Sequence, residues 1–172
     1  MDKHLAVEVC LGTHVHLHRA VAASDADSYY VFTMVPRLLS AKVPVDRRNR
    51  DGETALHVAS RHENLDGVCS LLNAGADVDA ISPHGWTPLR LACRYGHVAI
   101  ARLLLEFGAL VDKAGFYGWT ALRYAVQNGH GACIKVLFEY GATEGAVSQV
   151  HRHPAAEGIK QQWGIYACHV KP

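Results

Sequence analysis

The chain has 172 residues, 49% hydrophobic and 19% charged, with 17 Lys and Arg against 16 Asp and Glu. That length suits one domain or a short array of repeats, and so low a charged fraction with ordinary apolar content argues against a disordered chain. A net charge of +1 exerts no global pull on nucleic acid or an anionic membrane, and the early apolar run Leu5–Leu11, interrupted by Glu8, is too short to span a bilayer or serve as a secretory signal.

In chain order, residues 1–10 read as an N-terminal extension. Residues 11–49 read as a degenerate first repeat, because Leu17, Leu38-Leu39 and Val45-Asp46 echo Leu56, Leu71-Leu72 and Val78-Asp79. Leu38 follows Leu17 by 21 positions, whereas Leu71 follows Leu56 by 15, so six extra residues, about Asp25 to Tyr30, form an inter-helix insertion. Pro36 is expected near the start of the second helix, since an interior proline would break it. Three clean units follow at 50–82, 83–115 and 116–148. Gly52, Gly85 and Gly118 are evenly spaced, and Thr54, Thr87 and Thr120 keep the same interval, as do Leu56, Leu89 and Leu122. So do Gly75-Ala76, Gly108-Ala109 and Gly141-Ala142. Such a ladder implies a stack in which each unit covers its neighbour's apolar face.

Within one unit the residues predict two helices. Thr87 suits the N-cap and Pro88 the first helical position, so a helix is expected from about Pro88 to Arg94, burying Leu89, Ala92 and Cys93. Gly96-His97 turns the chain, and a second helix places Ile100, Leu103, Leu104 and Phe107 on its inner stripe before Gly108 ends it. The same description fits Thr54 to Gly75 and Thr120 to Gly141. Beyond Ala142 the pattern fades. Pro154 keeps register with Pro88, and Ala156, Ile159, Trp163, Tyr166 and Val170 could share one helical face, so 149–172 is expected to be a divergent C-terminal cap or a tail.

The segments Gly52-Glu53-Thr54-Ala55-Leu56-His57, Gly85-Trp86-Thr87-Pro88-Leu89 and Gly118-Trp119-Thr120-Ala121-Leu122, recurring at one fixed interval, resemble the ankyrin repeats, which share that period. The resemblance implies an all-α solenoid of helix-turn-helix units joined by β-hairpin-like turns. It departs from the family at Ala55 and Ala121 in place of proline, at Arg90 and Arg123 in place of histidine, and at Glu63-Asn64 in place of Gly-His. His57 and His97 stand where the family's imidazoles usually bond backbone groups.

Little here suggests chemistry. Cys10, Cys69, Cys93, Cys133 and Cys168 contain no C-x-x-C pair and read as reduced, small apolar residues. His14, His16 and His18 do not converge once the repeat places His16 and His18 at a helix start. His151, His153, Cys168 and His169 follow no known zinc spacing. Asp77, Asp79 and Asp112 fall at turns, where carboxylates satisfy backbone amides. No phosphate loop, nucleophile elbow or H-E-x-x-H occurs, so no catalytic residue, cofactor or metal is expected.

The resemblance implies a noncatalytic protein-binding scaffold, an adaptor or competitive inhibitor; the reduced cysteines lead us to expect the cytoplasm or nucleus, and a monomer is expected. Partners of the family usually meet hairpin tips and the exposed side of the first helix on the concave face. Carried over by position, these are Arg50, Asp51, Glu53, Arg61 and His62, then Pro83, His84, Trp86, Arg94 and Tyr95, then Phe116, Tyr117, Trp119, Gln127 and Asn128. Aromatics and arginine dominate hot spots. Trp86 and Trp119 form either an aromatic binding ridge or a stack that stiffens neighbouring hairpins. Two alternatives remain: a substrate receptor of a ubiquitin ligase, although 143–172 shows no recruitment box, and nucleic-acid or lipid-head-group binding by a stripe of Arg90, Arg94, Arg102 and Arg123.

Overall fold

The computed structural model describes residues 44–115 and 118–143, together with Leu17 and Val21. The expected cap at 149–172, the insertion at 25–30, Pro36, Phe116, Tyr117, Cys10, Cys168 and the histidines at 14–18, 151, 153 and 169 lie outside these residues. Among the described residues there are six helices and no strand: α1 (Ala55–Arg61), α2 (Leu65–Asn73), α3 (Pro88–Tyr95), α4 (Val98–Glu106), α5 (Ala121–Gln127) and α6 (Gly131–Glu139). They pair as α1/α2, α3/α4 and α5/α6, three copies of one helix-turn-helix unit. No helix among them is long and apolar enough to cross a membrane.

Each first helix begins at its threonine. The Thr87 hydroxyl accepts the Arg90 amide at 3.3 Å and the Thr120 hydroxyl accepts the Arg123 amide at 3.4 Å. Pro88 occupies the first turn of α3, where a missing amide hydrogen leaves nothing unpaired. Gly96 closes α3 in the left-handed conformation (φ 81°). At the same turn of the first unit stands Glu63, the one non-glycine with positive φ (58°) among the described residues.

The core is one continuous stripe rather than a globule. Leu56 and Ala59 of α1, Leu89 and Ala92 of α3, and Leu122 and Ala125 of α5 are fully buried, joined by Leu71, Leu104 and Leu137 from the second helices and by Leu17 and Val21. Each buried leucine contributes roughly 1.5–3 kcal/mol. Alanine at 59, 92 and 125 lets first helices approach closely, and they form the tighter of the two rows. Phe107 departs from expectation. It is the C-cap residue of α4, one position past the last helical residue Glu106, and is 43% exposed. Cys93 and Cys133 are buried free thiols in contact across α3 and α6; the bond to Cys133 and burial push the Cys93 thiol well up, which suits an unreactive apolar role.

Side-chain bonds tie unit to unit. Asp79 accepts the Leu110 amide at 3.2 Å and Asp112 accepts the Thr143 amide at 3.2 Å, while Asp46 accepts that of Asp77 at 3.0 Å. Asp77 caps its own turn through the Asp79 amide at 3.0 Å. His97 Nε2 donates to the Arg61 carbonyl and His130 Nε2 to that of Arg94, both at 3.0 Å and 36 residues back. Asn64 fills that role in the first unit, donating to the Val21 carbonyl 43 residues back at 3.1 Å. The longer interval spans the stretch where the sequence carries its extra residues.

Candidate functional site

Three hairpin turns project between the helix pairs, each closed in the same way. The amide of Asn49 donates to the Glu53 carbonyl (2.8 Å), that of Ser82 to Trp86 (2.9 Å) and that of Gly115 to Trp119 (3.0 Å). This register holds Glu53, Trp86 and Trp119 just ahead of their helices, one repeat period apart.

A latch from the preceding first helix reaches the same carbonyls. His57 Nδ1 faces the amide and hydroxyl of Thr54 (3.3 and 2.8 Å), which leaves Nε2 protonated to donate to the Trp86 carbonyl at 3.0 Å. Desolvation by burial lowers the pKa of this imidazole and favours the neutral ring. In the next unit Arg90 replaces the histidine, and its Nη1 donates to the Trp119 carbonyl at 3.0 Å across the same 29-residue interval. The arginine side chain is longer than histidine's, and the hairpin yields the room at Gly115. A Cβ there would lie 1.6 Å from Nη1 and 2.3 Å from Cζ. Gly115 stands where the first two hairpins carry Asn49 and Ser82, so this glycine serves space and not a left-handed turn.

Arg90 is 2% exposed, and burial lowers its pKa as well. It therefore cannot take part in the surface stripe expected from sequence. Arg102 lies on a second helix and pairs with Glu139 at 2.9 Å. Only Arg94 and Arg123 of the four arginines remain on the first-helix face.

There they join an aromatic ridge. Trp86 and Trp119 are half-buried and meet through an intermediary: Tyr124 of α5 packs against Trp86 at 4.8 Å and Trp119 at 5.0 Å between ring centroids. Sequence reasoning missed Tyr124, although a tyrosine one helical turn past Thr120 was a signal that it could face the hairpins. Arg94 lies over Trp86 at 4.9 Å and over Tyr95 at 5.7 Å, and Arg123 lies over Trp119 at 4.1 Å. Such contacts hold a guanidinium group against a ring and leave its N–H edges available.

Two family models match this chain, one described as ankyrin repeats (many copies) over residues 38–92 and one as ankyrin repeats (3 copies) over 78–147. Together they span 38–147, 110 of the 172 residues. The chain belongs to the ankyrin repeat family. A search of curated proteins returns no match. Ankyrin repeats are in general protein–protein interaction modules, typically noncatalytic.

On this ankyrin array the residues expected from sequence divide by environment. Arg50, Asp51, His62, Pro83, His84, Arg94, Tyr95, Gln127 and Asn128 are exposed. Glu53 is not: at 4% exposure it is a buried carboxylate whose partner is Arg61, so it belongs to the frame of the first hairpin rather than its surface. Arg61 is correspondingly half-buried and committed. Arg50, Asp51 and His62 lie on the first ankyrin unit, while the other six exposed candidates lie on the second and third units, which also carry Trp86, Tyr124 and Trp119.

Proposed function

We propose that the chain is a noncatalytic recognition scaffold, an adaptor or competitive inhibitor, that docks a partner protein on the first-helix face of its second and third units. The observation carrying this reading is the ridge Trp86–Tyr124–Trp119 flanked by the stacked guanidinium groups of Arg94 and Arg123. Large amphipathic rings and arginine held in fixed positions are the side chains on which interface energy concentrates. Because repeat stacking orders them before a partner arrives, less ordering cost falls on association. In this reading the protein works as a monomer in the cytoplasm or nucleus. The nucleic-acid and lipid-head-group alternative is weakened by the burial of Arg90 and the pairing of Arg102, which leave two arginines where four were expected.

The test is affinity capture from cell extract with quantitative mass spectrometry, comparing wild type with Arg94→Ala/Arg123→Ala and with Arg102→Ala on the opposite helix row. Partners lost only from the double variant support the reading. Equal loss from both variants, or none from either, defeats it. Trp86→Ala/Trp119→Ala is a poorer probe, since both rings also pack on Tyr124 and their removal perturbs folding and surface together.

A further inference from the structure

Between Asp79 and Glu106, and again between Asp112 and Glu139, the sequence contains no carboxylate. The hairpins and first helices of the second and third units therefore present only cationic and neutral side chains. The first clean unit differs sharply, with Asp51, Glu53, Glu63, Asp66, Asp77 and Asp79 between residues 50 and 82. Net charge near zero for the whole chain conceals this division. Among the described residues, neither Arg94 nor Arg123 has a carboxylate partner, whereas Arg61 and Arg102 both do.

We infer that this face takes an extended acidic–apolar–acidic segment of the partner protein. One carboxylate bonds the guanidinium of Arg94, another bonds that of Arg123, and an apolar residue between them lies on Tyr124 and the tryptophan rings. Three properties of the site lead there. The stacked guanidinium groups offer N–H edges suited to bidentate carboxylate bonds, at reduced entropic cost because the rings already hold them. The half-buried aromatics between them favour an apolar filler and lower the local dielectric, which strengthens both ionic bonds. The absence of acidic residues around them leaves an incoming carboxylate unopposed.

The geometry also limits the spacing. The route from Arg94 to Arg123 passes over Trp86, Tyr124 and Trp119 in steps none longer than 5.0 Å. At about 3.3 Å per residue, an extended segment bridging both guanidinium groups has its acids no more than roughly six residues apart.

This inference rests on the protein-binding reading above, and one experiment separates the two. Fluorescein-labelled peptides are titrated with the full chain by anisotropy. One has two glutamates around three apolar residues, the second carries glutamines instead, and the third separates its glutamates by a dozen glycines and serines. The expected result is at least about tenfold tighter binding of the first peptide than of either other. That preference should be lost in Arg94→Glu/Arg123→Glu, reduced in Arg94→Lys/Arg123→Lys, and kept in Arg102→Glu. The lysine pair retains charge and bulk, so it reports on the guanidinium fork even if the glutamate pair unfolds. Equal affinity for the acidic and glutamine peptides overturns the inference, as does tighter binding of a short DNA duplex that displaces the acidic peptide. Adding each peptide in excess to the capture experiment distinguishes the two levels. Partners that stay bound against the acidic peptide, yet are lost from the Arg94/Arg123 variant, leave the scaffold reading intact and sink this one.

Discussion

The latch between the second and third units supports a sharp prediction, because it differs from the first latch by two substitutions that compensate each other. His57 faces a hairpin with Ser82, whereas Arg90 faces one with Gly115, both acting on the carbonyl that closes the turn. Gly115→Ser places a Cβ 1.6 Å from Arg90 Nη1, far inside any real contact, so the buried guanidinium must move and give up the Trp119 carbonyl. Overpacking of a dense interior costs about 1–3 kcal/mol, and loss of a bond to a charged donor about 1.5–3 kcal/mol more when the donor finds no substitute. A destabilisation of about 3 kcal/mol is therefore expected in the wild-type background. In an Arg90→His background the shorter ring vacates that space, and Gly115→Ser should cost under about 1 kcal/mol, since the pair then reproduces His57 with Ser82. Urea denaturation of the four proteins of this double-mutant cycle should give a coupling energy of about 2 kcal/mol. Equal costs of Gly115→Ser in both backgrounds would refute the steric account.

Three further outcomes are expected. Glu63→Gly should raise stability by about 0.5–1 kcal/mol, because Glu63 holds a left-handed conformation that glycine adopts freely at Gly96 and Gly129; its exposed contact with His97 offsets little. Unchanged urea midpoints would show the turn to be unstrained. Glu53→Ala should cost about 1–3 kcal/mol by leaving Arg61 without its buried partner, and Glu53→Ala/Arg61→Ala should recover part of it in the same denaturation assay. Finally, the lowered pKa of His57 means that below its ordinary value of 6.5 the unfolded chain takes up a proton that the folded chain refuses. Stability contributed by the neutral ring is complete above that value. It falls as the pH drops toward the folded pKa, by up to about 1.4 kcal/mol per pH unit. His57→Gln should be less stable at neutral pH yet flatter between about pH 7 and 5. Parallel profiles would argue against a buried neutral imidazole.

The fold was legible because its determinants are local and repeated. Thr87, Pro88, Leu89, Ala92 and Gly96 each act within their own unit, and recurrence from unit to unit multiplies the signal. Helix ends were found to within a residue or so, and the backbone-bonding roles of His57, His97, Asp79 and Asp112 were anticipated by position. The candidate face was legible only in outline. Glu53 occupies the same hairpin register as Trp86 and Trp119, and nothing in that register reveals that its carboxylate turns inward to Arg61. Arg90 is similar: a charged residue on a first helix reads as surface until Gly115, in the following hairpin, is seen to make room for it. Tyr124 escaped for the opposite reason, since its role arises from two hairpins converging on one ring. Pairings between side chains of different units are set by three-dimensional register, which a single unit does not encode.

The shared use of Tyr124 has a mechanical consequence. Trp86 belongs to the second unit, while Trp119 and Tyr124 belong to the third, so the ring contact at 4.8 Å crosses the joint between them. Any bend at that joint would open or close the contact, and with it the span separating Arg94 from Arg123. For the acidic segment proposed above, compliance at this boundary would act as a ruler. A stiffer joint narrows the range of carboxylate spacings accepted, and a softer one widens it. A larger side chain at buried Ala92 or Ala125 would change curvature at that joint and so retune selectivity, at a cost in stability from overpacking.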